Sequence, residues 1–395
     1  MPSSAANPTQ SVPPPPRRPG FTDEVRRFWQ RVTDGLAVQQ LMTQFKRDAR
    51  SSFELYRRDF DSGSLPNQRR WENWLQTVQE MVWAILGKLS PARRVLLLIA
   101  LIFLILPSET FRFPGPNGHP IQISTPGFQF WSAVLLFALL MLEVADRVVM
   151  KRDLEIARDI QSWLLPARPP NVPGLTMAFA TRPANTVAGD FYDIFPRNPT
   201  NSAENHFLLA VADVAGKSIP AALLMATFQA SLKTLSSTPC SVLELVAGMN
   251  RYACCNSQGG LRFTTALIAE FNAETRVLSY VNAGHNNPIL RRSSGSVERL
   301  DVGGLPLGIQ PDASYDTATV RLESGDWLAI FTDGLVEAEN ERAEEYGETR
   351  LLSILHSGAG TTPELLLQQI IADVNNFVGP TPQHDDITCM LIKAA

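Results

Sequence analysis

The rhythm of apolar and polar positions changes several times along the chain, and each change predicts a different kind of element. Between residues 21 and 89, Phe28, Trp29, Val32, Leu36, Trp71, Trp74, Leu75 and Val78 recur at three- and four-residue steps with Arg and Lys between them. That is the period of amphipathic helices. Two unbroken apolar runs follow, VLLLIALIFLIL at 95–106 and FQFWSAVLLFALLML at 128–142. From 142 to 166 a charged helical pattern resumes, with Val149, Ile156 and Trp163 seven residues apart and Ile160 and Leu164 beside them. Pro166, Pro169, Pro170 and Pro173 then break it. After residue 175 short β-type runs take over: HFLLAVADV, FTTALIAEF, RVLSYVNAG, DWLAIFTDG and ITCMLIK. Two helices interrupt them. One covers 219–235; the other opens at Pro363 behind Thr362 and turns Leu366, Ile370, Val374 and Phe377 to one side. Strand runs separated by helices predict an α+β fold with a largely antiparallel sheet.

The two apolar runs are each shorter than the roughly 20 residues of an untilted spanning helix, but they carry no charge. Arg93 and Arg94 precede the first, Arg147, Lys151 and Arg152 follow the second, and the stretch 107–127 between them holds only Arg112. This sign pattern predicts a two-helix transmembrane hairpin over 93–145 with both ends in the cytoplasm. The expected location is therefore the cytoplasmic (inner) membrane, with the C-terminal domain, 167–395, facing the cytoplasm. Residues 1–20 read as a disordered Pro-rich tail. Residues 21–92 read as a helical cytoplasmic region, either resting on membrane lipid through its basic face or packed on itself. Residues 146–166 read as a signalling or linker helix, either one strand of a parallel coiled coil in a homodimer or a single helix docked on the next domain.

Composition narrows the class. Of 395 residues 45% are apolar and 19% charged, which excludes a mainly disordered, collagen-like or disulfide-stapled chain. The four cysteines all follow residue 239 and form no C-x-x-C pair, so they read as buried thiols in a reducing compartment. Residues 1–94 carry 15 basic against 9 acidic side chains, leaving 20 against 30 for the remainder. An acidic C-terminal portion excludes broad nucleic-acid binding there and leaves carboxylates available for a metal.

Those carboxylates stand beside apolar strands. Asp190 and Asp193 lie in VAGDFYD, Asp213 ends LLAVAD, Asp333 ends WLAIFTD, and Asp385 and Asp386 open DDITCMLI. A carboxylate emerging from a buried strand is costly unless something compensates its charge; Lys217 follows Asp213, and no Lys or Arg adjoins Asp333 or Asp385. Hard divalent cations take such oxygen ligands. Gly189, Gly216 and Gly334 adjoin three of the sites and allow close backbone approach. Two ions bridged by one water would make a hydroxide-like nucleophile and clamp a phosphoryl group, with no protein nucleophile. Spacing alone leaves open whether the four segments meet.

From about 154 to 393 the chain resembles the SpoIIE/RsbU branch of the metal-dependent PPM (type-2C) serine/threonine phosphatases. The resemblance is carried, in order, by LEIARDIQSWLLP, VAGDFYD, ADVAGKSIPAALLMA, FTTALIAEF, YVNAGHNNPIL, GLPLGI, FTDGLVEAEN and DDITCMLIK. Ala188 stands where the family more often has glycine. The resemblance implies a PPM-type phosphatase β-sandwich flanked by helices, holding two Mn²⁺ or Mg²⁺ ions at one edge. It implies Asp190, Asp213 and the Val214 carbonyl as ligands of one ion, and Asp333 and Asp385 as ligands of the other. Gly189, Gly334, Asp386 and Asp193 would support them, Asp193 by hydrogen bonding. It further implies a phosphorylated protein substrate of the anti-sigma-factor antagonist (STAS) type. No histidine follows Asp213 to act as general acid. His285 reads as a turn residue satisfying backbone groups, and Lys217 as a solvated charge at a helix start. FTDG occurs also in haloacid-dehalogenase phosphatases, but no D-x-D-x-T/V strand exists here. The rival reading is a non-catalytic scaffold whose phosphatase-like domain only binds a partner.

Overall fold

Apolar side chains on most faces, with proline at the first helical position where its missing N–H is harmless, start helix α1 (Pro91–Ile105); α2 runs from Phe128 to Leu164. Between them β1 (Thr110–Phe113) and β2 (Ile121–Ser124) pair antiparallel. The computed structural model describes residues 86, 89–106, 110–113, 121–124, 127–197, 205–257, 262–358 and 360–395. The Pro-rich tail, nearly all of the 21–92 helical region with its lipid-facing alternative, and most of the 107–127 connection lie outside the described residues. The chain packs as two units, Met1–Glu143 and Val144–Ala395.

In the first unit the helices meet where side chains are small: the buried Ser132 hydroxyl donates to the Ala100 carbonyl at 2.7 Å, and the Phe103 and Phe128 rings lie 5.5 Å apart. A helical pair is present, but the expected membrane hairpin is not. No helix among the described residues is long and apolar enough to cross a membrane. α1 has 15 residues, about 22 Å of helix against a hydrocarbon core of about 30 Å. α2 is longer, but its apolar stretch ends at Glu143, followed by Asp146 and Arg147. Glu143 lies 3.5 Å from Arg93 across the pair. The expected membrane location is overturned with the spanning helices, because the flanking charges that suggested it orient a spanning segment but cannot lengthen one.

The second unit is a β-sandwich. One sheet has the order β10-β7-β6-β5-β4, with β11 also on β7. Its strands are β4 (Phe191–Pro196), β5 (His206–Val214), β6 (Thr264–Asn272), β7 (Val277–Ala283), β10 (Gly303–Gly304) and β11 (Ala318–Arg321). The other has the order β3-β13-β12-β8-β9, from β3 (Leu175–Arg182), β8 (Ile289–Arg291), β9 (Val297–Arg299), β12 (Trp327–Phe331) and β13 (Ile387–Ala394). Among these strands only β10 with β7 pairs parallel. The expected α+β sandwich is therefore present.

The near-continuous apolar runs have a layered cause. In β5, Phe207, Leu209 and Val211 point between the sheets, while Leu208, Ala210, Ala212 and Val214 point to covering helices. Both faces of the strand are dry, so simple polar–apolar alternation is absent. β12 and β13 do the same, with Leu328, Ile330, Met390 and Ile392 inward and Phe331, Cys389 and Leu391 toward the opposite helices. The first sheet is covered by α3 (Ile219–Ser236) and α4 (Val242–Asn256), the second by α6 (Glu348–Ser357) and α7 (Pro363–Val378). A short helix, α5 (Asp333–Val336), follows β12. Ser241 and Glu244 form a reciprocal capping box at α4, and the Thr362 hydroxyl accepts from the Leu365 N–H at the start of α7.

Candidate active site

Strand registers bring the aspartates together. Phe191 stands opposite Ala212 in the β4–β5 ladder, so Asp190 and Asp213 come next, facing one another. In the other sheet Phe331 opposes Cys389, so the chain leaving β12 at Asp333 passes the chain entering β13 at Asp385 and Asp386. The two sheets are joined at this edge by Thr332. Its hydroxyl donates to Asp190 Oδ2 at 3.0 Å and accepts from the Thr388 N–H at 2.9 Å, while its own N–H reaches the Thr388 carbonyl at 3.0 Å.

Asp386 ties the cluster to the β3–β4 loop. Its Oδ1 accepts from the Ala184 N–H at 2.7 Å and its Oδ2 from the Gly189 N–H at 2.6 Å. Asp385 Oδ1 accepts from the Asp386 N–H, and Oδ2 lies 3.1 Å from Lys217 Nζ. Gly189 sits in tight space: a Cβ there would lie 3.1 Å from the Val214 carbonyl oxygen, which would have to give way slightly. Gly334 is more constrained, since a Cβ would overlap the Asp386 carbonyl oxygen.

The electrostatics follow from this crowding. Burial, then Asp213, hold Asp190 well above the usual carboxylate range. Asp213 is pushed up to about 7, first by burial and then by Asp333, Asp385 and Asp386. Asp333 is raised by burial and by Asp385, and Asp386 by burial despite its two backbone donors. Five carboxylates thus share one edge with one lysine. The donor set is all oxygen, as hard divalent cations require, and its excess negative charge suits two such ions. Among the described residues no three acidic, His or Cys side chains stand in ligating geometry for one ion; the carboxylates are neighbours, not a closed cage.

Asp190, Asp213, Asp333, Asp385 and Asp386 are therefore brought together, with Val214, Gly189 and Gly334 against them. Asp193 is not. It points to the helix side of β4, where Lys233 Nζ lies 2.6 Å from its Oδ2 and also over the Phe195 ring. This position of the motif, on the helix-facing side of the strand, is thus a structural ion pair. Lys217, expected to be solvated, reaches Asp385 and the His384 carbonyl. His285 is buried and neutral, its pKa lowered to about 4 by burial. Its Nδ1 contacts the Thr265 hydroxyl at 3.1 Å, so it packs on a side chain where backbone partners were expected. Sequence reasoning missed Thr332, whose only signal was its place before Asp333, and Gln161, treated below. A cavity of about 240 Å³ opens beside Asp385, lined among others by Arg182, Lys217, Glu337 and Glu345.

Residues 203–395 match the family model for stage II sporulation protein E (SpoIIE). That match takes in just under half of the chain and includes Asp213, Asp333, Asp385 and Asp386. The chain is 29% identical over 193 residues to the phosphoserine phosphatase RsbU of Bacillus subtilis, a match covering 49% of this chain and 56% of RsbU. It is 26% identical over 284 residues to protein IcfG of Synechocystis, covering 64% of this chain and 43% of IcfG. The matches thus span about half the length of these curated relatives. In structure it resembles the SiaA-PP2C domain of Pseudomonas aeruginosa, with a TM-score of 0.56 and 20% identity over 64% of this chain and 99% of that one. The sandwich accordingly has the PP2C fold.

Proposed function

We propose that the chain is a metal-dependent protein serine/threonine phosphatase that hydrolyses phosphoserine or phosphothreonine on a regulator of the anti-sigma-factor antagonist type. One observation carries the reading: aspartates from four separate strand ends of two sheets converge, and burial with mutual repulsion raises the pKa of Asp190, Asp213, Asp333 and Asp386. Such an arrangement is costly for the fold alone and becomes favourable when divalent cations neutralise it. The match of residues 203–395 to the SpoIIE family model and the similarity to RsbU, a phosphoserine phosphatase, support the same reaction class.

On this reading Asp190, Asp213 and the Val214 carbonyl would hold one ion, and Asp333 and Asp385 a second. When bound, such ions activate water and neutralise phosphoryl oxygens. The chain's own residues do the rest. Thr332 fixes the orientation of Asp190. Asp386 spends both oxygens on loop N–H groups and holds the loop closed on the site. Lys217, 53% exposed at the rim, is free to turn from Asp385 toward an incoming phosphate. The exposed Val149, Ile156 and Trp163 at seven-residue steps on α2 support self-association of two such helices.

The test is phosphate release from a phosphoserine peptide with Mn²⁺ and with chelator. Activity of the full chain should require the cation, and Asp213→Asn or Asp333→Asn should lower it by more than about 100-fold with the fold retained by circular dichroism. Unchanged turnover in both variants would remove the metal assignment. Absence of turnover in the unaltered chain under both conditions would favour the scaffold reading, with which the open ligating geometry is also consistent.

A further inference from the structure

The loop that delivers Asp190 to the site is fastened from two directions. From the acidic side Asp386 takes the N–H groups of Ala184 and Gly189. From the helix, Gln161, in the last turn of α2, makes a two-point contact with one residue. Its Nε2 donates to the Ala188 carbonyl at 2.7 Å, and its Oε1 accepts from the Ala188 N–H at 2.9 Å. We infer that Gln161 is a positioning residue whose amide, by gripping both polar groups of Ala188, sets how tightly the acidic edge takes a divalent cation. The inference rests on the metal-dependent reading above.

Gln161 is 7% exposed. A buried primary amide is unfavourable unless donor and acceptor are both satisfied, and here the loop backbone satisfies both. The paired bonds act as a short piece of β-ladder between a side chain and the main chain. They fix the peptide planes on either side of residue 188, and only Gly189 separates that residue from Asp190. Little slack exists downstream. Gly189 has the Val214 carbonyl close above it, Asp190 is 1% exposed, and its Oδ2 already accepts from Thr332. A shift at Ala188 therefore reaches two proposed oxygen donors, the Asp190 carboxylate and the Val214 carbonyl.

The helix end that carries Gln161 is held independently of this grip. Gln229 Nε2 on α3 donates to the Leu164 carbonyl at 2.7 Å, and Leu165 packs against both the inter-sheet core and the helix-covered core. Removing the Gln161 amide thus cuts the link to the loop without releasing the helix. Loosening the helix end at Gln229 does the converse.

The full-length chain tests this by Mn²⁺ titration calorimetry and by hydrogen exchange of the 184–190 segment. Gln161→Met keeps the side-chain volume and removes both bonds. It should weaken Mn²⁺ binding about 10-fold, within the range for residues that orient metal ligands, and speed exchange at Ala188 and Gly189. Gln161→Glu retains the acceptor for the Ala188 N–H and should fall between Gln161→Met and the unaltered chain. Gln229→Ala should lower Tm while leaving Mn²⁺ affinity within about twofold. Equal Mn²⁺ affinity in Gln161→Met and the unaltered chain would overturn the inference, as would an equal loss in Gln229→Ala, which would assign the effect to helix docking. Should Gln161→Met fail to fold, Gln161→Glu carries the same comparison, and unaltered affinity there overturns the inference. An unaltered chain that binds no Mn²⁺ removes the phosphatase reading itself, a distinct result from binding that Gln161 does not influence.

Discussion

The two sheets contribute unequal halves to the acidic edge. Asp190, from the first sheet, is enclosed and hydrogen-bonded to Thr332, Asp213 beside it is half-buried, and both are raised in pKa. Asp385, from the second sheet, has a side chain 45% exposed and leans on a lysine that is itself half in water. The enclosed half carries charge that water cannot screen, so without a cation it is relieved mainly by protons. The open half is relieved by solvent and by Lys217. A two-sided site of this kind can be preformed where an ion must be gripped and open where a phosphoprotein must enter.

The largest effect is expected where the open half hides a closed backbone. Gly334→Ala forces a Cβ onto the Asp386 carbonyl and should cost about 3 kcal/mol in urea unfolding. Gly189→Ala in the enclosed half meets neighbours at 3.1 and 3.2 Å and should cost about 1 kcal/mol. The reverse order would break the comparison.

The next effect reads the enclosed half through pH. Burial and the neighbouring carboxylates push the folded Asp213 up to about 7, above the usual carboxylate value of about 3.9 that the unfolded chain keeps. Between these values the folded chain holds a proton the unfolded chain has released, so stability without cations falls as pH rises from about 4 to about 7 and is flat above. Asp213→Asn should remove much of that fall and, in chelator at about pH 8, melt several degrees above the unaltered chain. Parallel Tm-against-pH curves for the two proteins would show that Asp213 is not carrying uncompensated charge.

The smallest effect belongs to the open half. Lys217→Ala removes an exposed pair and should change stability by less than about 0.5 kcal/mol. It should also tighten Mn²⁺ binding a few-fold by withdrawing a competing cation. Weaker binding in calorimetry would mean that Lys217 supports the ion and does not compete with it.

Much of the sandwich was legible because its strands are short, apolar and bounded by turns, and its helices begin at recognisable caps such as Thr362–Pro363. The aspartates were legible for a related reason: a carboxylate ending a dry strand is unusual, and four such strand ends make a pattern. Asp193 misled because the same VAGDFYD string alternates its side chains across the sheet, so the residue three places after Asp190 faces Lys233 on a helix. Thr332 and Gln161 escaped because each partner lies in a different segment, 142 and 27 residues away. The helical pair misled in the other direction. Absence of charge and flanking arginines resemble a spanning segment, but length decides whether the core of a bilayer is crossed, and the 15 residues of α1 do not suffice.

Local chemistry along the chain determined which segments become strands, where helices start, and which residues can carry negative charge at a strand end, because propensity, capping and hydrophobic period act over a few residues. The tertiary structure alone decided that strand ends from two sheets share one edge, that Asp386 and Gln161 both grip one loop, and that Lys217 serves Asp385. Those outcomes depend on register and on layer packing, which are set by contacts between residues far apart in the chain.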